Sequence, residues 1–169
     1  MSRLYEVIGR SDVPMRAPVN GDTVWGDFFG DAVRAQTGAD IAINAGSLYG
    51  DDQEGGPITR EKILNFYPRT FDFQRSGGWT IWLAECDGWI INLIVDQFRK
   101  DGLYAPVSGS GGRSLSPFRR YTVAVPESIG RAISEIMPGV FDVLIQNPRD
   151  TSISMWSAVE LELMRRRSP

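Results

Sequence analysis

Histidine is missing from all 169 positions of the sequence. Its absence excludes the Ser-His-Asp and Cys-His nucleophile systems, as well as zinc or iron sites that use imidazole ligands. Chemistry without imidazole would need carboxylates, lysine, tyrosine, or a metal held by oxygen ligands alone. No sequence motif indicates a site of that kind. We therefore expect no catalytic residue and no metal ligand in this chain.

Cysteine, basic charge and long apolar runs are also scarce. Cys86 is the only cysteine, which excludes an intrachain disulfide and leaves the cellular compartment undetermined. Its neighbours Leu83, Ala84 and Trp89 predict that the thiol is buried. The net charge of −3 offers no basic surface for nucleic acid. No apolar run reaches the 18 residues expected of a transmembrane helix, so neither nucleic acid nor a membrane is an expected partner.

The chain has enough apolar residues to form one hydrophobic core. Hydrophobic residues make up 42% of it, with five Trp and eight Phe, and 23% of residues are charged. This balance is typical of a folded domain with an ordinary polar surface. The length favours one domain over residues 1–169.

Apolar periodicity alternates between helix and strand along the chain. An amphipathic pattern predicts a helix over residues 23–36, with Asp22 as its N-cap and Gly38 as the residue where the chain turns out. Further helices are predicted over 59–65, 89–100, 127–137 and 151–167, and strands over 41–43, 79–85, 121–125 and 140–145. This order predicts an α/β (α+β) domain with helices packed on a mixed β-sheet.

Two charged segments have a functional and a structural interpretation. Asp51, Asp52 and Glu54 could supply oxygen ligands to a divalent cation, which would make the chain an independent hydrolase. Their spacing is not that of an EF-hand, and we favour a solvated turn. The Gly/Ser-rich segment 108–120 carries three arginines that could bind an anion, but a solvated loop is the favoured interpretation.

Six segments carry a family resemblance in sequence order. "YEVIG" followed by "TVWGDFFGDA" resembles a strand and then T-N-x-G-N-x-x-A-D-A, and "TGADIAINAGSLYG" resembles T-G-A-D-I-A-x-x-N-G-G-G-I-R. The other four, "GPITREKIL", "WLAECDGWIINLIV", "APVSGSGG" and "YTVAVPESI", resemble G-x-I-T-x-x-D-V-L, V-x-L-T-G-x-x-L, L-Q-V-S-G and Y-x-V-A-T-N-D-F-L. Together they cover nearly the whole chain, which resembles the C-terminal domain of the 5'-nucleotidase family.

The resemblance implies a division of labour between two domains. In the family, metal-dependent phosphatase chemistry belongs to an N-terminal metallophosphoesterase domain, while the C-terminal domain holds the nucleoside between two aromatic rings. By this resemblance the chain is a non-catalytic recognition domain for a nucleotide or nucleoside. Its partner would be a metallophosphoesterase domain in cis or in trans. The divalent metals would belong to that partner, with no cofactor in this chain, and the location would be periplasmic or extracellular.

The sequence departs from the family pattern at ligand contacts. Tyr49 stands where the family has arginine, and the segment 67–80 replaces P-F-G-N with extra residues, so that Phe71, Phe73 or Trp79 could supply the stacking ring. The later asparagine and ring positions hold Pro126 and Ser128, and G-G-D-G-Y is missing. The candidate substrate-binding residues are Asn44, Gly46, Ser47, Tyr49, Phe71 and Trp79.

Two alternatives remain beside the recognition domain. Asn44 and Gly46 are also common in a plain strand-to-loop turn, for conformational reasons. Because several contact residues are altered, the chain could be a degenerate module of the same fold. Such a module would serve a structural or protein-interaction role, as a homo-oligomer for example.

Overall fold

The computed structural model describes residues 3–69, 79–101, 104–136 and 144–167. The strands are β1 (Val7–Ser11), β2 (Ile41–Ile43), β3 (Gly56–Thr59), β4 (Thr80–Asp87), β5 (Val107–Ser108), β6 (Arg120–Pro126) and β7 (Gln146–Ser154). The α-helices are α1 (Val24–Thr37), α2 (Arg60–Phe66), α3 (Gly88–Lys100), α4 (Glu127–Ile136) and α5 (Met155–Arg167). Single 3₁₀ turns lie at Arg3–Tyr5 and Gly46–Leu48.

The main sheet is mixed, as the sequence predicts. Its five strands have the order β5-β2-β6-β4-β7, in which only β2 and β6 are parallel neighbours. A separate pair, β1 with β3, is antiparallel. Helices cover the main sheet, so the predicted α/β class is confirmed.

Both faces of the main sheet are buried. Alternate residues of β2 point to opposite faces, so Ala42 lies in one core cluster while Ile41 and Ile43 lie in the other. The first cluster is completed by residues of α1, α2 and α5, and the second by residues of α3. Cys86 belongs to the second cluster, and burial raises the pKa of its thiol to about 12, with a smaller contribution from the charge of Asp87. The thiol is therefore buried, as predicted.

Capping residues in the sequence predict several helix ends correctly. The predicted N-cap of α1 lies one residue before the observed one. Gly38 ends α1 in the left-handed region at φ 70°, and its N–H donates to Arg34 O. Thr59 caps α2 by accepting a hydrogen bond from Lys62 N. The cap of α1 is Thr23 rather than Asp22, because the Thr23 hydroxyl accepts from Gly26 N at 3.0 Å.

The C-terminal part of the chain differs from its prediction. Residues 151–154 belong to β7, so the last helix begins at Met155 and not at Thr151. The Thr151 hydroxyl donates to Ile81 O of β4, and Ser154 accepts from Ser157 N at the start of α5. Of the strand predicted over 140–145, residues 140–143 lie outside the described residues, and Leu144 and Ile145 precede β7.

Strand β3 has no counterpart among the strands that apolar periodicity predicts, because its four residues include a glycine and a proline. In the part of the chain that the structure describes, no helix combines the length and the apolar character needed to cross a lipid bilayer.

Candidate functional site

The sheet topology brings three chain segments to one edge. Strands β2 and β6 run parallel, with Ala42 beside Ala124, so their carboxyl ends lie together. Strand β4 runs the opposite way and starts beside Pro126, which pairs with Ile81. We call this region the carboxyl edge. It comprises the turn 44–49 after β2, residues 126–127 after β6, and residues 79–80 at the start of β4.

Asn44 is the centre of a buried polar network on this edge. Its Nδ2 donates to Tyr49 Oη at 3.2 Å, and its Oδ1 accepts from Ala45 N at 2.9 Å and from Tyr67 Oη at 3.4 Å. Burial is the main cause that raises the pKa of both tyrosines, so each hydroxyl stays protonated. The network can therefore donate and accept hydrogen bonds but carries no charge.

The Tyr49 ring belongs to the aromatic core. Its centroid lies 5.4 Å from that of Phe29, 5.3 Å from that of Phe66 and 5.3 Å from that of Tyr67, each pair edge-to-face. Such tilted contacts are the favourable geometry for aromatic pairs. At the position where the resemblance places a family arginine, this chain therefore has a side chain that packs inward.

Gly46 is required for close backbone packing. Its N–H donates to Tyr104 O at 2.7 Å, and a Cβ at this position would lie 2.3 Å from Pro18 O. Glycine is the residue that allows such an approach. The amide of this turn thus points at the protein's own backbone.

Arg69 links this turn to Trp79. The guanidinium donates to Ser47 O at 2.8 Å and to Leu48 O at 3.1 Å, and its carbon lies 5.5 Å from the centroid of the Trp79 indole. Trp79 N also donates to Arg69 O at 3.3 Å, which fixes the two residues side by side. Ser47 is exposed, whereas Arg69 and Trp79 are half-buried. This cluster has an aromatic ring, a cation and a hydroxyl at the surface.

Glu127 is a buried acid on the same edge. Its carboxylate accepts from Thr80 Oγ1 at 3.3 Å and from Arg131 Nε at 2.9 Å. The Arg131 guanidinium in turn lies 5.7 Å from the Trp82 ring centroid. Sequence reasoning missed both Glu127 and Arg69, since each depends on contacts between segments far apart in the chain.

The structure brings most of the predicted candidates together. Asn44, Gly46, Ser47 and Tyr49 form one turn, and Trp79 joins it through Arg69. Phe71 and the alternative Phe73 lie outside the described residues.

Several side chains of the two charged segments contact other groups of the protein. Asp52 accepts from Ala17 N at 2.8 Å, and both Asp52 and Glu54 form salt bridges with Arg16. Among residues 3–69, 79–101, 104–136 and 144–167, no three acidic, cysteine or histidine side chains are grouped as metal ligands. In the second segment, Arg119 stacks on the Tyr121 ring, and Arg120 pairs with Asp87.

A family model and solved structures match this chain. Residues 7–73 match the family model described as the 5'-nucleotidase, C-terminal domain. Among solved structures, the 5'-nucleotidase precursor of Thermus thermophilus aligns over 98% of this chain with a TM-score of 0.74 and 16% identity. The chain has the fold of a 5'-nucleotidase C-terminal domain. The family resemblance predicted from the sequence is thereby confirmed.

Other solved structures extend the comparison. The NAD nucleotidase of Haemophilus influenzae aligns over 97% of this chain, with a TM-score of 0.72 and 13% identity. The 5'-nucleotidase of Candida albicans aligns over 96%, with a TM-score of 0.66 and 10% identity. This chain spans 38%, 36% and 41% of the Thermus, Haemophilus and Candida chains, so it corresponds to less than half of each. No curated protein gives a significant sequence match.

Proposed function

We propose that this 5'-nucleotidase C-terminal-type domain is a non-catalytic recognition domain that holds a nucleoside or nucleotide for a metallophosphoesterase domain. The observation that carries the proposal is the cluster of Arg69, Trp79 and the turn 46–48 on the carboxyl edge. A fixed indole beside hydroxyl and carbonyl groups is the combination that binds a planar base with a polar sugar. The cluster lies next to the turn that resembles the family's ligand-facing motif.

Under this proposal the reaction takes place on another domain, joined in cis or bound in trans. That domain would hold the divalent metals, as the family resemblance implies. The longer chains of the structural relatives are consistent with a domain in cis. This chain contributes affinity and orientation for the substrate.

Calorimetric titration with AMP, adenosine and a UDP-sugar tests the proposal. We expect saturable binding of at least one of these ligands at millimolar concentration or tighter. Trp79→Ala should weaken it about tenfold or more, since stacking of one base on an aromatic ring contributes about 1–3 kcal/mol. Trp89→Ala is the matched control, because Trp89 is an exposed indole on α3 and should leave binding unchanged. Absence of binding by all three ligands would reject the recognition role.

A specific observation also favours a second candidate, a protein-interaction module. Phe118 is 91% exposed, and the loop that carries it is fixed to the start of α3 by the bond from Trp89 N to Pro117 O at 3.1 Å. Trp89 and Leu93 are exposed on α3, one helical turn apart. Exposed aromatic residues held on rigid backbone are typical of interfaces.

Light scattering coupled to size exclusion separates the two candidates. An oligomer that Phe118→Ser dissociates, combined with no nucleotide affinity, would favour the interaction module. A monomer that binds a nucleoside or nucleotide would favour the recognition domain.

A further inference from the structure

A polar groove of about 220 Å³ lies between α3 and the segment 104–115. None of the described residues that line it belongs to the cluster of Arg69 and Trp79. Asn92 of α3 holds the opposite wall in place, because its Nδ2 donates to Leu115 O at 3.0 Å and its Oδ1 accepts from Leu115 N at 3.1 Å. The groove is therefore preformed, as small-molecule sites usually are.

Arg113 is a free cation on the wall that the Gly/Ser-rich segment forms. The other two arginines of that segment are engaged, since Arg119 stacks on the Tyr121 ring and Arg120 pairs with Asp87. Across the described part of the chain, no hydrogen bond, ion pair or ring contact involves the Arg113 guanidinium. A guanidinium can direct two parallel N–H groups at one carboxylate. Arg113 is thus available to bind an anionic group in the groove.

Two carboxylates also line the groove. Asp22 accepts a hydrogen bond from the Tyr104 hydroxyl but has no cationic partner among the described residues. Asp96 lies 3.2 Å from Arg99, and both of these side chains are more than half exposed, so their pair contributes little. The formal charges of Asp22, Asp96, Arg99 and Arg113 sum to zero. A ligand that carries one sign of charge therefore meets repulsion as well as attraction.

The floor of the groove is apolar. It is formed by the buried residues Ile91, Val95, Ala105 and Leu115. Pockets for drug-sized ligands measure about 300–1,000 Å³, so this groove has room for a smaller molecule. A ligand that matches the lining has an apolar part for the floor and groups of both charge signs for the walls.

We propose that the groove binds a small zwitterion of the α-amino-acid type. The ligand carboxylate pairs with Arg113, the ammonium group pairs with Asp22, and an apolar side chain contacts the floor. Such a molecule gives each unpaired charge of the groove an opposite partner, which neither a simple anion nor a simple cation does. The proposal goes beyond nucleoside recognition and does not depend on it, because the two sites use different residues.

Calorimetric titration of the unaltered protein with leucine, leucinamide and 4-methylpentanoate at pH 6.5 and low salt tests the proposal. Leucine carries both charges, leucinamide lacks the carboxylate, and 4-methylpentanoate lacks the ammonium group. We expect saturable binding of leucine at millimolar concentration. Each analogue should bind at least about tenfold more weakly, which is the scale of one hydrogen bond to a charged group.

The three titrations separate the possible kinds of site. If 4-methylpentanoate binds as tightly as leucine, the groove is a simple anion site, and if leucinamide does so, it is a simple cation site. Either result overturns the proposal, as does the absence of leucine binding. Titration of the same sample with adenosine and AMP tests nucleoside recognition separately, so failure of one site is distinguished from failure of the other.

The variant Arg113→Gln identifies the residue that binds the carboxylate. Its side chain is exposed, so the fold should stay intact, which circular dichroism checks. Leucine affinity should fall about tenfold or more, while leucinamide, which has no carboxylate for Arg113, should bind no more weakly than before. Arg149→Gln, the same charge change at an exposed position of β7, is the matched control and should leave leucine affinity unchanged. An equal loss in both variants would show a general effect of net charge and would overturn the proposal.

Discussion

The side-chain amide of Asn44 donates a hydrogen bond to the hydroxyl of Tyr49 at 3.2 Å, in the interior of the domain. The two residues close the turn that follows β2, and Tyr67 adds its own hydroxyl to Asn44 Oδ1. An arginine at the position of Tyr49, which the family resemblance would place there, would have brought a positive charge to this turn. In this chain Tyr49 joins the turn to the aromatic core, so this side chain stabilises the fold.

Tyr49→Phe should therefore lower the free energy of unfolding. The variant keeps the ring contacts but leaves Asn44 Nδ2 without its acceptor in a buried position, which costs about 1–2 kcal/mol. Urea denaturation followed by circular dichroism measures the loss. Tyr5→Phe is the matched control, because Tyr5 is 61% exposed and its change should stay within about 0.5 kcal/mol. Equal stability of the two variants would contradict a structural role for the Asn44–Tyr49 bond.

Gly46→Ala should destabilise the domain more strongly than a glycine substitution whose Cβ enters open space. The new Cβ would lie 2.3 Å from Pro18 O and 3.2 Å from Tyr104 O, and both contacts involve backbone that cannot rotate away. Displacing packed backbone typically costs about 1–3 kcal/mol. Gly21→Ala places its Cβ in open space and serves as the control in the same urea experiment. If Gly46→Ala lowers the free energy of unfolding no more than the control does, the backbone of the turn can shift to accommodate a Cβ.

Local signals in the sequence predict much of the fold. The apolar run of β2 and the helix ends at Gly38 and Thr59 depend on residues next to one another in the chain, and each is found where predicted. The start of α5 could not be found this way. Asn147 and Ser152 adopt positive φ angles of 52° and 60°, which interrupts the alternation that marks a strand. Strand β7 exists because it pairs with β4, a partner far away in sequence.

The candidate site could also be predicted only where its residues are neighbours in the sequence. The turn containing Asn44 could be located because its residues are contiguous and resemble a family motif. Arg69 and Glu127 could not, because their contacts with Trp79 and Thr80 at the start of β4 form only when the chain has folded. Whether a polar residue on this edge faces solvent or the core also depends on tertiary packing, as Tyr49 illustrates.

The stability of the domain should depend on pH through Glu162. This side chain is 2% exposed, and hydrogen bonds from Arg165, with a smaller contribution from Arg166, lower its pKa to about 2 despite the opposing effect of burial. Since the folded pKa lies below the usual value of 4.5, the stabilisation is complete above about pH 4.5 and is lost as the pH falls toward 2.

Urea unfolding of the wild type and of Glu162→Gln across this range checks the effect. The wild type should be more stable at pH 6, and the difference between the two proteins should shrink as the pH falls from 4.5 toward 2. Val24→Ala, an exposed substitution that removes no titratable group, is the control and should show a constant difference. A constant difference for Glu162→Gln as well would mean that its ion pairs contribute nothing through ionisation.

Cys86 should react with thiol reagents only when the sheet opens. Cys86 of β4 pairs with Tyr121 of β6. Burial raises the pKa of its thiol to about 12, so only about one thiol in ten thousand is ionised at pH 8. We expect an aromatic disulfide reagent to label the native protein far more slowly than the urea-unfolded chain. Gly46→Ala should accelerate native labelling in proportion to its loss of stability if opening is global. Rapid labelling of Cys86 in the folded wild type would show that the hydrogen bonds between β4 and β6 open independently of the rest of the domain.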